Sequence, residues 1–122
     1  MSEVIIVDDV FLGKAYSAEL KSIGVTSTVL TNPELSVETI KNEGARLVLL
    51  DIMMIGKDGF EVLQDIQDDT KTKGIKVIVI SRLKGDKDKS LAKNLGANEF
   101  LSKTEVSFSD VANKIKLLLI KA

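Results

Sequence analysis

Short apolar runs alternate with longer stretches of helical periodicity along the chain. Three of the runs are apolar without interruption, which is typical of strands buried on both faces of a parallel sheet. A fourth run is weaker. A fifth alternates apolar with polar residues and suits a strand at a sheet edge. In chain order, the five predicted strands cover residues 4–7, 26–30, 47–50, 77–80 and 99–102, of which 26–30 is the edge strand and 99–102 the weak one.

Apolar residues at helical spacing fill the segments between these runs. Gly24, Gly44 and Gly96 stand where three of the helices would end, as glycine commonly does. Ser107 and Asp110 have the spacing of a capping box, and Pro33 opens the second helical stretch. The predicted helices cover residues 11–23, 34–43, 59–68, 86–95 and 108–121.

Five strands alternating with five helices predict an α/β fold with a parallel sheet and helices on both faces. The 122 residues suffice for one domain, and we expect residues 1–122 to form it. Apolar residues make up 44% of the chain and charged residues 29%, a balance typical of a soluble globular protein. In such folds the functional residues lie outside the carboxyl ends of the strands.

The composition removes several classes of chemistry. Seventeen basic and eighteen acidic residues give a net charge of -1, so no bulk attraction to nucleic acid or to an anionic membrane is expected. The chain has no cysteine and no histidine, which excludes thiolate catalysis, histidine-dependent triads and imidazole-ligated metals. No apolar run approaches the roughly 20 residues of a membrane-spanning helix, so a cytoplasmic location is expected.

Polar residues of complementary type follow four of the apolar runs. Asp8 and Asp9 follow the first, and Asp51, Ser81 and Lys103 follow three others. Taken singly, each has an ordinary explanation, since an acidic pair ahead of a helix is equally typical of a helix cap. Because the carboxyl ends of parallel strands share one edge, we expect the five side chains to converge there.

Three converging carboxylates need a cation, and a cluster that offers only oxygen ligands suits Mg²⁺ or Mn²⁺. A carboxylate can attack phosphorus when metal and ammonium neutralise the charge on the phosphoryl oxygens. Lys103 supplies an ammonium and Ser81 a hydroxyl donor. The set therefore predicts phosphoryl transfer to an aspartate.

In this ordered set of motifs the chain resembles the receiver domains of two-component response regulators, from about Glu3 to Ala122. The family fold is flavodoxin-like, a doubly wound (βα)5 sandwich whose parallel sheet has the strand order 2-1-3-4-5. The matching segments are residues 7–9, 49–54, 57–61, 80–81, 95–97 and 100–103.

The resemblance implies a phosphoacceptor and a metal site. Asp51 corresponds to the aspartate that receives the phosphoryl group. Asp9 corresponds to a direct ligand of Mg²⁺ or Mn²⁺, and Asp8 to a ligand that acts mainly through water. Met53 would contribute its backbone carbonyl.

It also implies a switch. Ser81 corresponds to a hydroxyl that turns inward to bond a phosphoryl oxygen, and Lys103 to the amine that pairs with another. Phe100 matches the position of a switch aromatic, although an ordinary core aromatic is the alternative. Gly59 is expected to open the third helix rather than to contact ligand.

The implied activity is signalling rather than turnover of a substrate. A histidine kinase or phosphotransfer protein would donate the phosphoryl group, and the receiver would promote only its own phosphorylation and dephosphorylation. The face formed by the fourth helix, fifth strand and fifth helix would then change its affinity for an effector protein or output domain. Homodimerisation on phosphorylation is left open.

The sequence departs from the family pattern at three positions near the site. Ile55 replaces a common proline, which would leave its loop less rigid. Arg82 replaces a small residue after Ser81 and could obstruct phosphodonors, attract them or contact a partner, or lean into solvent. Thr104 replaces a proline that often marks a cis peptide bond.

Three alternatives follow from these residues. One is a receiver-fold interaction module that works without phosphate, which the three departures favour. Another is a small phosphatase with an aspartyl nucleophile, but such enzymes often carry a second Asp where this chain has Met53. A flavin carrier is disfavoured because no Gly/Ser/Thr-rich phosphate loop follows Val7.

Overall fold

A computed structural model describes residues 1–54, 56–82 and 85–121 of the chain. Within them, five parallel strands form one sheet in the order β2-β1-β3-β4-β5, which confirms the predicted architecture. The edge position predicted for the alternating run is confirmed at β2. The strands are β1 Val4–Val7, β2 Ser27–Leu30, β3 Leu47–Asp51, β4 Lys76–Ser81 and β5 Glu99–Ser102.

Five α-helices connect and cover the strands, close to the predicted bounds. No helix in the described part of the chain is both long and apolar enough to cross a membrane. The helices are α1 Val10–Ser22, α2 Ser36–Glu43, α3 Gly59–Asp68, α4 Asp86–Asn94 and α5 Phe108–Ile120.

The central strands are buried on both faces, which explains their uninterrupted apolar runs. In β1, Val4 and Ile6 pack toward α1 and α5, whereas Ile5 and Val7 pack toward α2, α3 and α4. All four side chains have no exposed surface. Successive side chains of a strand point to opposite faces, so one strand contributes to two core layers.

The helix ends follow the predicted local chemistry. Gly24, Gly44 and Gly96 adopt positive φ just after α1, α2 and α4, a backbone region open to glycine. The Ser107 and Asp110 side chains form the capping box of α5.

The predicted second helix differs from the structure at its start. Residues Pro33–Leu35 form a 3-10 turn, and the α-helix begins at Ser36. The Ser36 amide donates to the Pro33 carbonyl, and the Ser36 hydroxyl bonds the same carbonyl at 2.7 Å. These two bonds hold the tighter turn that apolar periodicity alone does not distinguish from an α-helix.

Candidate functional site

Polar residues that end or follow β1, β3, β4 and β5 meet at the carboxyl edge of the sheet. Strand pairing aligns Val7 with Leu50, and Asp51 with Ile80. Ser81 pairs with Ser102, and the Lys103 amide donates to the Ser81 carbonyl at 2.8 Å. The sheet therefore brings Asp8, Asp51, Ser81 and Lys103 to one place.

Lys103 links the two innermost carboxylates. Its Nζ lies 2.9 Å from Oδ2 of Asp51 and 3.1 Å from Oδ2 of Asp8. It also donates to Oδ1 of Asp8 at 3.2 Å. The Lys103 side chain is only 10% exposed, so these contacts lie in a poorly solvated setting where charge interactions are strong.

Asp8 is the most deeply buried acid of the site, with 1% of its surface exposed. Its Oδ1 accepts the Asp9 amide at 2.7 Å, whereas its Oδ2 makes no hydrogen bond within the described residues. Burial raises the Asp8 pKa from 3.8 to about 6, and the Asp51 charge adds to this rise. Lys103 opposes it. At neutral pH Asp8 is therefore still mostly ionised, but its ionisation costs more free energy than that of a solvated carboxyl.

Asp9 lies at the same edge, but its carboxylate serves the first helix. Oδ1 accepts the Leu12 amide at 2.8 Å and caps α1. The side chain is exposed and also borders the cavity described below. Asp9 therefore acts as a helix cap here, which is the ordinary explanation of an acidic pair before a helix.

Asp51 ends β3 and presents its carboxylate to the open side. Its Oδ1 accepts the Met53 amide at 2.9 Å while Oδ2 contacts Lys103. The Met53 side chain is more than half exposed. These two bonds hold the carboxylate in one orientation, as a nucleophile requires.

Ser81 and Phe100 occupy different depths at this edge. Ser81 ends β4 and has no exposed surface. Phe100 lies in β5, is partly buried, and packs against the core layer shared with α3 and α4. Gly59 begins α3 as predicted, and its backbone lies against Ile52.

A cavity of about 610 Å³ opens over Asp51. Sequence reasoning misses Thr31, which follows the edge strand β2 and could have been found by reading off the end of that run as well. Val10 and Met54 also line the cavity, and as apolar side chains they give no sequence signal of a site role, although Met54 belongs to the matching segment 49–54. The lining residues are Asp9, Val10, Thr31, Asp51, Met53, Met54, Arg82 and Lys103.

The donors at this edge are oxygens, which is the ligand class that Mg²⁺ and Mn²⁺ prefer. The buried Oδ2 of Asp8 lies 3.1 Å from the Lys103 ammonium but accepts no well-oriented hydrogen bond in the described chain, so a metal ion would give it a further contact. Among the described residues, however, no three acidic side chains already form a metal-binding group. The residues fit a hard cation, provided that the carboxylates of Asp8, Asp9 and Asp51 draw closer.

Two of the three departures from the family pattern can be placed. Arg82 is exposed and lines the cavity. Thr104 lies in the turn that follows β5, where its hydroxyl lies 3.0 Å from that of Ser102 and the Glu105 amide donates to the Ser102 carbonyl. The described residues contain no cis peptide bond. Ile55 lies outside the described residues.

The family model for the response regulator receiver domain matches residues 4–116. The chain belongs to this family. A curated relative of this receiver domain, the transcriptional regulatory protein RstA of Escherichia coli K12, is 34% identical over 101 residues. That match covers 83% of this chain and 41% of RstA, so the chain spans about two fifths of this relative's length.

Solved structures agree with this assignment. The BeF3-activated receiver domain of Klebsiella pneumoniae RstA has a TM-score of 0.84 at 25% identity, and the match covers 97% of each chain. The Mn(2+)-bound form of response regulator Rcp1 has a TM-score of 0.80 at 19% identity, and covers 100% of this chain and 96% of Rcp1. At 19% identity, the likeness to Rcp1 concerns the fold alone. Membership in a signalling family of two-component systems and the flavodoxin-like topology are thereby confirmed.

Proposed function

We propose that residues 1–122 form one receiver domain that accepts a phosphoryl group on Asp51. The observation that carries the proposal is the placement of Asp51, with its Oδ2 2.9 Å from Lys103 and its Oδ1 2.9 Å from the Met53 amide, below an open cavity. The carboxylate is held in place and open to a donor. No other acid in the described chain has all three features.

In the reaction, one carboxylate oxygen of Asp51 attacks phosphorus. The bond between phosphorus and the donor nitrogen of a phosphohistidine breaks, and the proton needed by the leaving imidazole comes from solvent. Lys103 neutralises charge on the phosphoryl oxygens. Ser81, at the end of β4, would donate its hydroxyl to another oxygen. The product is an acyl phosphate on this chain.

Asp8, Asp9, Asp51 and the Met53 carbonyl would hold Mg²⁺ or Mn²⁺. The ion would neutralise negative charge between the donor phosphoryl group and the acidic cluster. Support for this assignment comes from the all-oxygen donor set and from the buried Oδ2 of Asp8, which has the Lys103 ammonium 3.1 Å away but no well-oriented hydrogen bond in the described chain. Receiver domains commonly bind a divalent cation.

The partners follow from the family. A histidine kinase or phosphotransfer protein would donate the group, and an effector protein or output domain would read the face formed by α4, β5 and α5. Ser81 and Phe100 would couple the site to that face, because both lie on the strands that lead to it. The acyl phosphate adds charge and acceptor oxygens that can shift such an equilibrium.

The test is phosphorylation followed by intact-protein mass measurement. The wild type is incubated with Mg²⁺ and either a small acyl phosphate or a phosphorylated histidine kinase domain. We expect one added phosphoryl group in the wild type and none in Asp51→Asn. Asp58→Asn is the matched control, because Asp58 is exposed in the same β3–α3 loop and its side chain caps α3. Asparagine can keep that cap, so the control should be phosphorylated.

An adduct that persists in Asp51→Asn would contradict the assignment of the acceptor. The lack of an adduct with both kinds of donor would contradict the function itself. If Asp51→Asn and Asp51→Ala leave partner binding and cellular output unchanged, the phosphate-independent interaction module is correct instead.

A further inference from the structure

Two cations line the cavity above Asp51, and they differ in how their charge is used. Lys103 is buried and already contacts Asp8 and Asp51. Arg82 is exposed, and its guanidinium makes no ion pair or hydrogen bond with the rest of the described chain. The positive charge of Arg82 is therefore available to a ligand in the cavity.

A second cavity of about 310 Å³ lies beside the first, between α1 and the β5–α5 loop. We call it the Tyr16 recess. Tyr16 itself is 4% exposed and packs edge-to-face on Phe108, with ring centroids 5.0 Å apart. The recess is lined by Leu12, Tyr16, Arg82, Lys103, Thr104, Val106, Ser107 and Phe108.

Arg82 and Lys103 are the two residues that line both cavities. Lys103 is fixed by its two carboxylates, whereas Arg82 is an exposed side chain on the loop that follows β4. A ligand that drew the guanidinium over Asp51 would take it away from the Tyr16 recess, because Arg82 lines both cavities.

We propose that Arg82 holds the outer oxygens of the phosphoryl group above Asp51, and that its movement onto that group opens the Tyr16 recess. Arg82 then acts on the donor side, where Lys103 does not reach, and selects for donors that present a doubly charged phosphoryl group. This inference rests on the proposed function.

The physical basis is the chemistry of the guanidinium group. It carries a permanent charge and a planar fork of donors that can bond two phosphoryl oxygens at once. Asp9 and Asp51 line the cavity, and the buried Asp8 contacts Lys103. One ammonium therefore faces three carboxylates, and an approaching dianion meets a repulsive field. A free cation at the rim reduces that repulsion. Glutamine at this position keeps much of the length and loses the charge.

Beryllofluoride, a tetrahedral mimic of the phosphoryl group, measures the contact directly. Its affinity for the full chain in the presence of Mg²⁺ is determined by fluorine NMR. We expect Arg82→Gln to bind about tenfold more weakly, the size of one charge-assisted hydrogen bond, and Arg82→Lys to recover most of the loss. Lys73→Gln is the matched control: it removes one exposed positive charge at the opposite end of β4 and should bind like the wild type.

The Tyr16 recess has its own reporter. The chain has one tyrosine and no tryptophan, so its intrinsic fluorescence comes mainly from Tyr16. We expect beryllofluoride to increase acrylamide quenching of this fluorescence in the wild type. In Arg82→Gln, saturated with beryllofluoride, this increase in quenching should be absent, because the variant has no guanidinium to move from the recess onto the phosphoryl mimic. A residue that merely supports the fold would not produce this difference.

The outcomes separate this inference from the proposed function. If the wild type binds no beryllofluoride, the proposed function fails. If the wild type binds it and Arg82→Gln binds equally or more tightly, Arg82 does not hold the phosphoryl group and the inference alone is overturned. Equal quenching in the two saturated proteins overturns the opening of the recess.

Discussion

Asp8 shows at the residue scale how burial and charge are balanced in this site. The side chain is almost fully buried, and its pKa of about 6 lies well above the ordinary value of 3.8. Burial is the main cause, followed by the charge of Asp51. Between about pH 4 and 6 Asp8 therefore binds more protons in the folded chain than in the unfolded chain, so its contribution to folding stability falls as pH rises through that window.

Replacing Asp8 with asparagine removes this penalty. Without divalent cations, Asp8→Asn should be more stable than the wild type by about 1 to 3 kcal/mol at pH 8, because a shift of one pKa unit corresponds to about 1.4 kcal/mol. The asparagine amide would replace a carboxylate that contacts the Lys103 ammonium, and the loss of this ion pair makes the gain in stability smaller than the pKa shift alone implies. Urea unfolding at several pH values measures it, and the advantage should vanish toward pH 4.

Asp9→Asn is the control for that series. Its side chain is exposed, and asparagine is as good a helix cap as aspartate, so a change within about 0.5 kcal/mol is expected. An Asp8→Asn protein that is less stable than the wild type at pH 8, by an amount that does not vary with pH, would contradict the argument.

The direction of individual side chains is where sequence reasoning stops. The strand ends place Asp8, Asp51 and Lys103 together as expected, because parallel strands share one edge. Whether the Asp9 carboxylate turns to the cluster or to the Leu12 amide depends on its rotamer, which an acidic pair before a helix does not specify. The metal and switch roles of these residues stay predictions.

At the scale of elements, the junction of β3 and α3 is set by a close backbone approach. A Cβ atom on Gly59 would lie 2.2 Å from the Cα of Ile52, and the Gly59 amide lies 3.4 Å from the Ile52 carbonyl. Ile52 stands between Asp51 and Met53. The first turn of α3 therefore packs directly beneath the proposed phosphoacceptor loop.

Gly59→Ala should force this junction apart. We expect a loss of about 2 kcal/mol in the free energy of unfolding by urea, a typical cost of overpacking, together with slower phosphorylation of Asp51. Gly74→Ala is the control, since no heavy atom lies within 4 Å of its added Cβ. Equal stability of the two variants would show that the contact is easily relieved.

The positions of the elements follow from the sequence because several signals agree. Uninterrupted apolar runs, positive-φ glycines and the capping box of α5 each mark a boundary that the structure confirms. The 3-10 turn at Pro33–Leu35 does not follow from the sequence. Its apolar pattern is the same as that of an α-helix, and the two bonds from Ser36 that hold it are visible only in the structure. The place of Thr31 at the cavity does not follow either, because an edge strand offers a weaker apolar signal than a central one.

At the scale of the whole molecule, the site is built from four strands of one sheet and is coupled to global folding. A ligand that binds the folded chain but not the unfolded chain stabilises it by mass action. The Asp8–Asp51–Lys103 cluster exists only when β1, β3 and β5 are assembled. Divalent cation binding is therefore measurable as a change in global stability.

Mg²⁺ should raise the free energy of unfolding of the wild type, by about 2.7 kcal/mol at one hundred times its dissociation constant. Asp8→Asn and Asp51→Asn should lose most of this increment. Thermal unfolding with and without Mg²⁺ measures it, with NaCl at equal ionic strength as the control. The same increment in all three proteins would mean that the ion binds elsewhere.

The double contact of Lys103 makes two binding events interdependent. A lysine carries one charge, and here it serves two acids at once. A phosphoryl group on Asp51 that recruits this amine removes a counter-charge from Asp8, whereas a divalent cation would restore it. Each ligand should consequently raise the affinity for the other, by equal factors as thermodynamic reciprocity requires. The site is then cooperative within a single chain, with one lysine as its shared element.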